Sequence, residues 1–334
     1  MKIAIIGAGF AGIATAWNIL DQAKDPLVHV IVYDPHGLGG QASGIAAGLL
    51  HKYSGPFAKL SRHGIEGFAE TQQLLDLASK ELTERAYIKS GLLRPALTAA
   101  QIDDYQNTAK SYPGEIRWLN AAECQEYVPL MESYPGIFID SALTVFPDLY
   151  LEGLWRLCEK KGAILEKRKI EHLEDLSGHD YIVIAAGAGS TSFSESANIK
   201  ATYVKGQILE FEWPDNLEPL TVPVNSQVYT VMSRDKKTCL VGATYEREYT
   251  HSEPDLELTK ENILPKAVRV LPLIADLKLV GCKAGFRVSA KDHLPIIQKI
   301  NEKCWVFSGL GSKGLLYHAL YAKQLAQIIL SRNL

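Results

Sequence analysis

Residues Gly7 to Gly12 have the types and spacing needed to bind the phosphates of a dinucleotide. They form a Gly-x-Gly-x-x-Gly pattern between the apolar run Lys2–Ile6 and a predicted helix, Ala11–Leu20. The first glycine permits a tight turn, the second lets the backbone approach a diphosphate, and the third lets helix and strand pack closely. Free N–H groups at the helix N-terminus favour the anionic phosphates. A glycine-rich turn without a ligand is the alternative.

A carboxylate lies at the position where a dinucleotide-binding site requires an acceptor for the ribose. Asp34 ends the second predicted strand, Val28–Tyr33, about 20 residues beyond the glycines. There it can accept hydrogen bonds from ribose hydroxyls, and an acidic residue disfavours the 2′-phosphate of NADP. The alternative is a solvated strand end, but strand, glycines, helix and carboxylate are all in register, which favours dinucleotide binding.

Two further small-residue turns favour FAD over NAD. Ile184-Ala-Ala-Gly187 ends a predicted central strand, and Ser308 to Leu315 opens the last helix. The second turn offers helix N-terminal amides to an anionic group, as the N1–O2 edge of a flavin becomes on reduction. Lys313, in that turn, is a candidate positive charge near the same edge. Ordinary strand-to-helix turns and a solvated lysine are the alternatives.

Together with these turns, an ordered set of motifs resembles the D-amino acid oxidase family of flavoproteins. Besides the N-terminal glycines, the set comprises Ala42-Ser-Gly-Ile-Ala-Ala-Gly48, Lys205-Gly-Gln207, Val241-Gly-Ala-Thr244 and Ala284-Gly-Phe-Arg287. They occur in the family's order across nearly the whole chain. The resemblance implies FAD as cofactor and oxidation of an amine by hydride transfer from the carbon next to nitrogen to flavin N5.

Within that family the chain is most similar to the oxidase domain of the bacterial enzyme that modifies carboxymethylaminomethyl-uridine in tRNA. The resemblance is carried by Ala42-Ser-Gly44, Val241-Gly-Ala-Thr-Tyr245, Lys291-Asp-His-Leu-Pro295 and Leu310-Gly-Ser-Lys-Gly-Leu315. The methyltransferase half of that bifunctional enzyme is absent here. A small amine or amino acid and a modified tRNA are therefore both candidate substrates.

The resemblance also assigns roles to three residues. Arg287 is the candidate anchor for a substrate carboxylate, because a guanidinium fork binds carboxylates in a bidentate manner. Its strand is otherwise apolar, so a buried, unpaired arginine would be costly there. Tyr229 and Tyr245 resemble substrate-facing tyrosines, with aromatic core packing as the alternative. His51 follows Ala42–Gly48, which the resemblance places on the flavin and which we call the flavin-side segment. It is left outside the catalytic set, since a lone histidine is more often structural.

The cofactor contacts that we expect are distributed over the whole length of the chain. They are Gly7, Gly9, Phe10, Ala11, Gly12, Asp34, Pro35, Ala42, Ser43, Ala46, Ala47, Gly48, Leu49, Ile170, Ala186, Gly187, Arg287, Gly309, Gly311, Ser312, Lys313, Gly314 and Leu315.

Two positions depart from the family's pattern. Covalent members attach the flavin through a cysteine at a place that corresponds here to Gly285, and Cys282 lies off that place. We therefore expect non-covalent FAD. The lysine that activates oxygen in sarcosine oxidase would fall near Leu240, so oxidase and dehydrogenase both remain open.

Composition sets broader limits. The 334 residues carry a net charge of −3, which argues against a protein dominated by phosphate contacts to nucleic acid. Five scattered cysteines without a Cys-x-x-Cys pair predict neither disulfides nor zinc and fit a reducing compartment. The N-terminal apolar run is too short for a signal peptide, and no run is long enough to span a membrane. We expect a cytoplasmic protein without a metal.

The pattern of elements predicts an α/β dinucleotide-binding fold, of the glutathione-reductase type, with an inserted antiparallel substrate domain. We expect residues 1–55, 137–200 and 276–334 in the FAD-binding domain and residues 56–136 and 201–275 in the substrate domain. Predicted helices include the end of Gln41–Leu50, Phe57–Lys80, Asp148–Lys161, Thr259–Val270 and Gly311–Leu330. Predicted strands include Ala163–Leu165, Arg168–His172, Tyr181–Ala185, Ala201–Phe211, Thr221–Ala243, Lys283–Ser289 and Trp305–Phe307.

Three functions remain open at this point. The chain oxidises a glycine-like or N-carboxymethyl amine, with a tRNA wobble uridine as one carrier of that group. Alternatively, it acts on free D-amino acids or glycine. In a third hypothesis it binds a nucleotide without catalysis. A tRNA substrate would call for a basic rim, for which Lys52, Lys59, Arg62 and His63 are the nearest cluster, although such a cluster is more often a solvated surface.

Overall fold

The computed structural model describes residues 1–24 and 27–331. The α-helices are α1 (Phe10–Gln22), α2 (Gly64–Lys80), α3 (Ala99–Ser111), α4 (Ala121–Tyr127), α5 (Pro147–Lys160), α6 (Leu256–Val268) and α7 (Gly314–Leu330). The strands are β1 (Lys2–Ile6), β2 (His29–Tyr33), β3 (Leu49–Leu50), β4 (Tyr53–Ser54), β5 (Lys59–Leu60), β6 (Tyr87–Ile88), β7 (Leu92–Pro95), β8 (Ile116–Leu119), β9 (Gly136–Ile139), β10 (Leu143–Val145), β11 (Ile164–Glu166), β12 (Tyr181–Ile184), β13 (Thr202–Glu212), β14 (Val224–Asn225), β15 (Tyr229–Met232), β16 (Thr238–Gly242), β17 (Leu279–Ser289), β18 (Ile296–Lys299) and β19 (Cys304–Ser308).

A six-stranded sheet forms the dinucleotide-binding half. Its order is β11-β2-β1-β12-β19-β18, with every pair parallel except β18–β19. Four consecutive residues of β1 are buried, as expected of a strand that is covered on both faces. Helices α1, α5 and α7 cover one face in the largest apolar core, and a smaller apolar cluster covers the other. The carboxyl ends of β1, β2 and β12 therefore meet at one edge.

A mainly antiparallel eight-stranded sheet forms the second half. Its order is β17-β13-β16-β15-β14-β7-β9-β8, and only β14–β7 is parallel. Strands β13 and β17 pair over nearly their whole lengths. Helices α4 and α6 contribute to the apolar cluster on this sheet, with Cys124, Ile263 and Ala267 buried in it. The mixed fold class predicted from the sequence is confirmed.

The sheets divide the chain differently from the predicted domains at two strands. Strand β17 lies after residue 276 but belongs to the eight-stranded sheet, and only β18 and β19 return to the six-stranded one. Strand β9, at the start of the predicted 137–200 piece, also pairs in the eight-stranded sheet. Backbone pairing places both strands, since β17 pairs with β13 and β9 lies between β7 and β8.

Three predicted elements are wrong. The end of Gln41–Leu50 is not helical: turns lead into β3, because Gly48 has a φ of +81° and lies against the carbonyl of Val145. Helix α2 begins at Gly64 rather than Phe57, since β4 and β5 pair just before it. Arg168–His172, predicted as a strand, has no strand partner among the residues that the structure describes.

The position of Gly48 generates a stability prediction. An alanine Cβ there would lie 1.9 Å from the oxygen of Val145, whereas Gly114, with a φ of +87°, has nothing within 4 Å. We expect Gly114→Ala to lower the free energy of unfolding by about 1–2 kcal/mol, from the left-handed backbone alone. Gly48→Ala should lower it by roughly a further 1–3 kcal/mol, because the backbone must move. Urea unfolding measures both, and equal losses would contradict this explanation.

Candidate active site

A cavity of about 1030 Å³ runs from the turn between β1 and α1 to one face of the eight-stranded sheet. Its walls come from distant pieces of the chain: the N-terminal turn, residues 39–49, the end of β12, strands β13, β15 and β17, and the start of α7. Every predicted cofactor contact lines this cavity except Gly12, and so do Arg287 and Tyr229. Tyr245 does not.

The glycines of the N-terminal turn are required by close contacts. Gly7 has a φ of +111°, and a Cβ on it would lie 2.4 Å from the oxygen of Ala185. A Cβ on Gly12 would lie 1.9 Å from the oxygen of Gly7, which explains why Gly12 packs the turn without reaching the cavity. The amide of Phe10 donates to Ser43 Oγ at 3.1 Å, so the flavin-side segment is tied to the N-terminus of α1.

Asp34 is held ready at the end of β2. Its Oδ2 accepts a hydrogen bond from the Ala8 amide at 2.9 Å, and its Oδ1 accepts one from the His36 amide at 2.8 Å. A carboxylate has about four acceptor sites, so lone pairs remain for ribose hydroxyls. Because the two amides fix the carboxylate before any ligand arrives, binding need not order it.

Another part of the cavity wall is formed by residues 41–49 and the start of α7. A Cβ on Gly285 in β17 would lie 2.6 Å from Cδ1 of Ile45, so this segment lies directly on the eight-stranded sheet. Gly309 and Gly311 have φ values of +75° and +55° and turn the chain into α7. Burial lowers the pKa of Lys313, whose Nζ lies 5.6 Å from the ring centre of Tyr317.

Arg287 lies on the sheet face of the cavity. Its guanidinium rests over Gly206 of β13, where a Cβ would come within 2.7 Å of Nη2. Nη1 donates to the carbonyl oxygen of Thr244 at 3.2 Å. Within residues 1–24 and 27–331, no carboxylate forms an ion pair with this guanidinium. The cavity therefore presents a cation that lacks a protein counterion.

Tyr229 lies within electrostatic range of that cation. Burial raises the pKa of its phenol to about 12, although Arg287 partly opposes the shift. The phenol thus stays protonated at neutral pH and can donate a hydrogen bond into the cavity.

Tyr245, predicted beside it, is 57% exposed and follows β16 in a loop outside the cavity. Buried Lys205 contacts the same loop, since its Nζ donates hydrogen bonds to the carbonyls of His251 and Glu253. Lys205 and Gln207, both part of the family's motif, thereby act on the loop. The structure does not bring Tyr245 to the site.

Two polar residues at the cavity were not predicted as functional. Arg94, in β7, is only 3% exposed and donates to the carbonyls of Tyr53 and Gly55. His51 lies beside it, and burial together with Arg94 lowers the pKa of His51 to about 3. The available signal in the sequence was an arginine in an otherwise apolar strand, which would have indicated a functional cation. The role of Arg94 depends on its contacts with residues 51–55, and no local sequence pattern connects that segment to β7.

The predicted basic rim is not formed as a unit. Lys52 is buried and paired with Glu115 at 2.5 Å, while Lys59, Arg62 and His63 are exposed.

The fold and the cavity are those of a dinucleotide-binding protein with a second sheet on the cavity. The chain belongs to the family of FAD dependent oxidoreductases known as DAO, whose family model matches residues 2–328. The predicted family and the predicted cofactor, FAD, are both confirmed. The contacts at Gly7 and Asp34, the α1 N-terminus and the volume of the cavity all fit that cofactor.

Similar proteins connect this fold with more than one substrate. The tRNA 5-methylaminomethyl-2-thiouridine biosynthesis bifunctional protein MnmC of Hydrogenovibrio crunogenus is 24% identical over 91% of this chain and 48% of its own length. The chain thus spans about half of that relative. The crystal structure of glycine oxidase from Geobacillus kaustophilus has a TM-score of 0.80 at 20% identity, covering 99% of this chain and 95% of its own.

A third similar structure is the iminodiacetate oxidase IdaA from Chelativorans sp. BNC1. It has a TM-score of 0.78 at 22% identity and covers 98% of this chain and 95% of its own. At such identities the two structures establish the fold alone. In the described part of the chain, no helix is long and apolar enough to cross a membrane.

The geometry of Asp34 generates a binding prediction. We expect Asp34→Asn to weaken FAD binding roughly 10- to 100-fold, because hydrogen bonds to a charged acceptor contribute about 1.5–3 kcal/mol. Asp180→Asn is the matched control: Asp180 Oδ2 also accepts a backbone hydrogen bond, from Lys2 at 2.7 Å, but lies outside the cavity. Fluorescence titration of the apoprotein with FAD measures both, and equal weakening would argue against a direct contact.

Proposed function

We propose that the chain oxidises the C–N bond of a carboxylate-bearing amine, either glycine-like or N-carboxymethyl, with hydride transfer to flavin N5. When bound, FAD supplies the hydride acceptor, and the protein supplies orientation and electrostatics. The imine product is then hydrolysed by water. The similarity to a glycine oxidase and an iminodiacetate oxidase supports this choice of substrate class.

The observation that carries the proposal is the unpaired cation of Arg287 on the cavity wall. A guanidinium without a counterion favours an anionic ligand, and its planar fork matches a carboxylate. Gly206 leaves the space in which the guanidinium lies across β13. The carbonyl of Thr244 occupies one N–H of Nη1 and fixes the orientation of the fork.

Two other groups complete the proposed arrangement. The protonated phenol of Tyr229 can donate a hydrogen bond to the substrate carboxylate beside Arg287. Lys313 and the amides at the start of α7 can stabilise negative charge that develops at the pyrimidine edge of the ring. We assign Arg287 to substrate binding, Tyr229 to substrate orientation and Lys313 to charge stabilisation.

We also propose that FAD is bound without a covalent bond. No cysteine lines the cavity in the described part of the chain, and Cys282 lies 3.6 Å from Thr259 Oγ1 of α6. Precipitation of the purified holoprotein with acid should release the yellow colour into the supernatant. Colour that stays with the precipitate would contradict this.

A modified tRNA is the second candidate substrate, supported by the similarity to MnmC. Both candidates place an N-carboxymethyl or glycine-like group at Arg287, so the site chemistry is the same. Anaerobic titration of the holoprotein with glycine, D-alanine, sarcosine and iminodiacetate, and with tRNA that carries carboxymethylaminomethyl-uridine, separates them. Reduction by tRNA alone would favour the second candidate, and reduction by none would overturn the proposed function.

Replacement of the anchor provides the direct test. We expect Arg287→Met to lower kcat/KM for flavin reduction by the active amine on the order of 100-fold, because two charge-assisted hydrogen bonds are lost. The FAD content of each variant is measured, and the rates are expressed per bound flavin. Arg117→Met is the control, since Arg117 forms its ion pair with Asp140, outside the cavity. Stopped-flow absorbance measures the rates, and an Arg287→Met rate equal to that of the control would remove Arg287 from the site.

A further inference from the structure

Arg94 is a second cation on the cavity wall without a carboxylate partner. It is buried, and its Nη1 and Nη2 donate to the carbonyls of Tyr53 at 3.1 Å and Gly55 at 2.6 Å. No ion pair involves it within residues 1–24 and 27–331, and its Nε has no hydrogen-bond acceptor there. The guanidinium also lies 5.5 Å from the ring centre of Tyr105.

Such a group is energetically unfavourable unless something compensates its charge. Burial of an unpaired cation costs several kcal/mol, and neutral carbonyls offset only part of that penalty. A guanidinium has five N–H donors, of which the two carbonyls use two. A cation on a cavity wall with donors to spare is a suitable partner for an anionic ligand.

A neutral histidine lies beside this cation. His51 also lines the cavity, and its buried Nδ1 has no hydrogen-bond partner in the described part of the chain. Because burial and Arg94 hold the pKa of His51 near 3, the imidazole carries no charge at neutral pH. It can therefore donate or accept one hydrogen bond without adding charge. Asn225 and Gln227 also line the cavity.

The pairing of the strands separates Arg94 and its neighbour His51 from Arg287. Leu93, next to Arg94, pairs with Val224, and Asn225 pairs with Tyr229, so Arg94 lies two strands beyond Tyr229. The guanidinium of Arg287 lies over β13, on the other side of Tyr229. Four strand spacings of about 4.8 Å separate β13 from β7, or roughly 19 Å along a flat sheet and less along a curved one. A free amino acid is much shorter than this separation between the two strands.

We propose that Arg94 and His51 form a second anion-binding subsite, and that the substrate is an elongated amine with an anionic group at each end. This inference rests on the proposed function, in which Arg287 holds the carboxylate near the reacting nitrogen. The distal group is a carboxylate or a phosphate, since both match a guanidinium with free donors. Arg94 would then set substrate length.

Calorimetric titration of the FAD-loaded wild-type protein tests the subsite without any turnover. The probes are straight-chain dicarboxylates from succinate to dodecanedioate, each compared with the monocarboxylate of the same chain length. We expect the longer dicarboxylates to bind at least about tenfold more tightly than their monocarboxylates, and succinate to show no such gain. Equal affinities at every length would overturn the inference and leave Arg94 as a clamp on residues 53–55.

Variants assign the gain to Arg94. Arg94→Met should abolish the preference for dicarboxylates, whereas Arg94→Lys should retain part of it. A preference that survives in Arg94→Met would overturn the assignment, and thermal unfolding with FAD content checks that both variants fold. If both lose the fold, the wild-type ligand comparison still decides.

The same titration separates the two sources of the distal anion and the two proposals. ω-Phosphonoalkanoates that bind more tightly than dicarboxylates of equal length would indicate a phosphate end, and the reverse order a carboxylate end. A clear length-dependent gain in a protein whose flavin no amine reduces would overturn the proposed function while supporting the subsite. Reduction by short amines without any such gain would do the opposite.

Discussion

The interaction on which the site depends is the contact of the Arg287 guanidinium with the backbone of β13. The cation lies across Gly206 and bonds the carbonyl of Thr244, without a carboxylate from the described chain. This arrangement requires β13 and β17 to be paired in register, because Gly206 faces Gly285, two residues from the arginine. The long β13–β17 ladder therefore does more than stabilise the sheet, because it positions the guanidinium that acts electrostatically on Tyr229.

Close backbone contacts align this sheet with the dinucleotide-binding half. Residues 41–49 pass between the two halves, with Ser43 bonded to the α1 N-terminus and Ile45 against Gly285. Gly48 lies against the backbone of β10, so the segment has no room for larger side chains. A displacement at either end would change the distance between the N-terminal phosphate site and Arg287. The small residues of this segment thus allow close contacts between the two halves and have no role in the reaction itself.

These contacts explain which features the sequence could predict. The glycine turn, Asp34 and Arg287 were predictable because each depends on local geometry or on a motif in family order. The end of 41–50 was wrongly predicted as helical, because its alanines favour a helix. The conformation of Gly48 is instead set by its contact with the backbone of Val145, about a hundred residues away in the chain. Arg94 was missed for the same reason: its partners are carbonyls of residues 53 and 55, and a carbonyl leaves no trace in the sequence. Tyr245 matched a motif, but its side chain lies in an exposed loop.

The charge distribution of the cavity differs from that of the whole chain. The net charge is −3, yet the cavity is lined by five cations and two carboxylates: Arg94, Arg168, Lys169, Arg287 and Lys313 against Asp34 and Glu171. The diphosphate of FAD compensates part of this excess near the N-terminus of α1. Of these cations, Arg94 and Arg287 lie on the eight-stranded sheet, Lys313 precedes α7, and Arg168 and Lys169 follow β11 of the six-stranded sheet. Field lines concentrate in such a cavity between low-dielectric walls. Net charge argued against a protein dominated by phosphate contacts to nucleic acid, but a cavity of this sign favours anionic ligands whatever the sign of the outer surface.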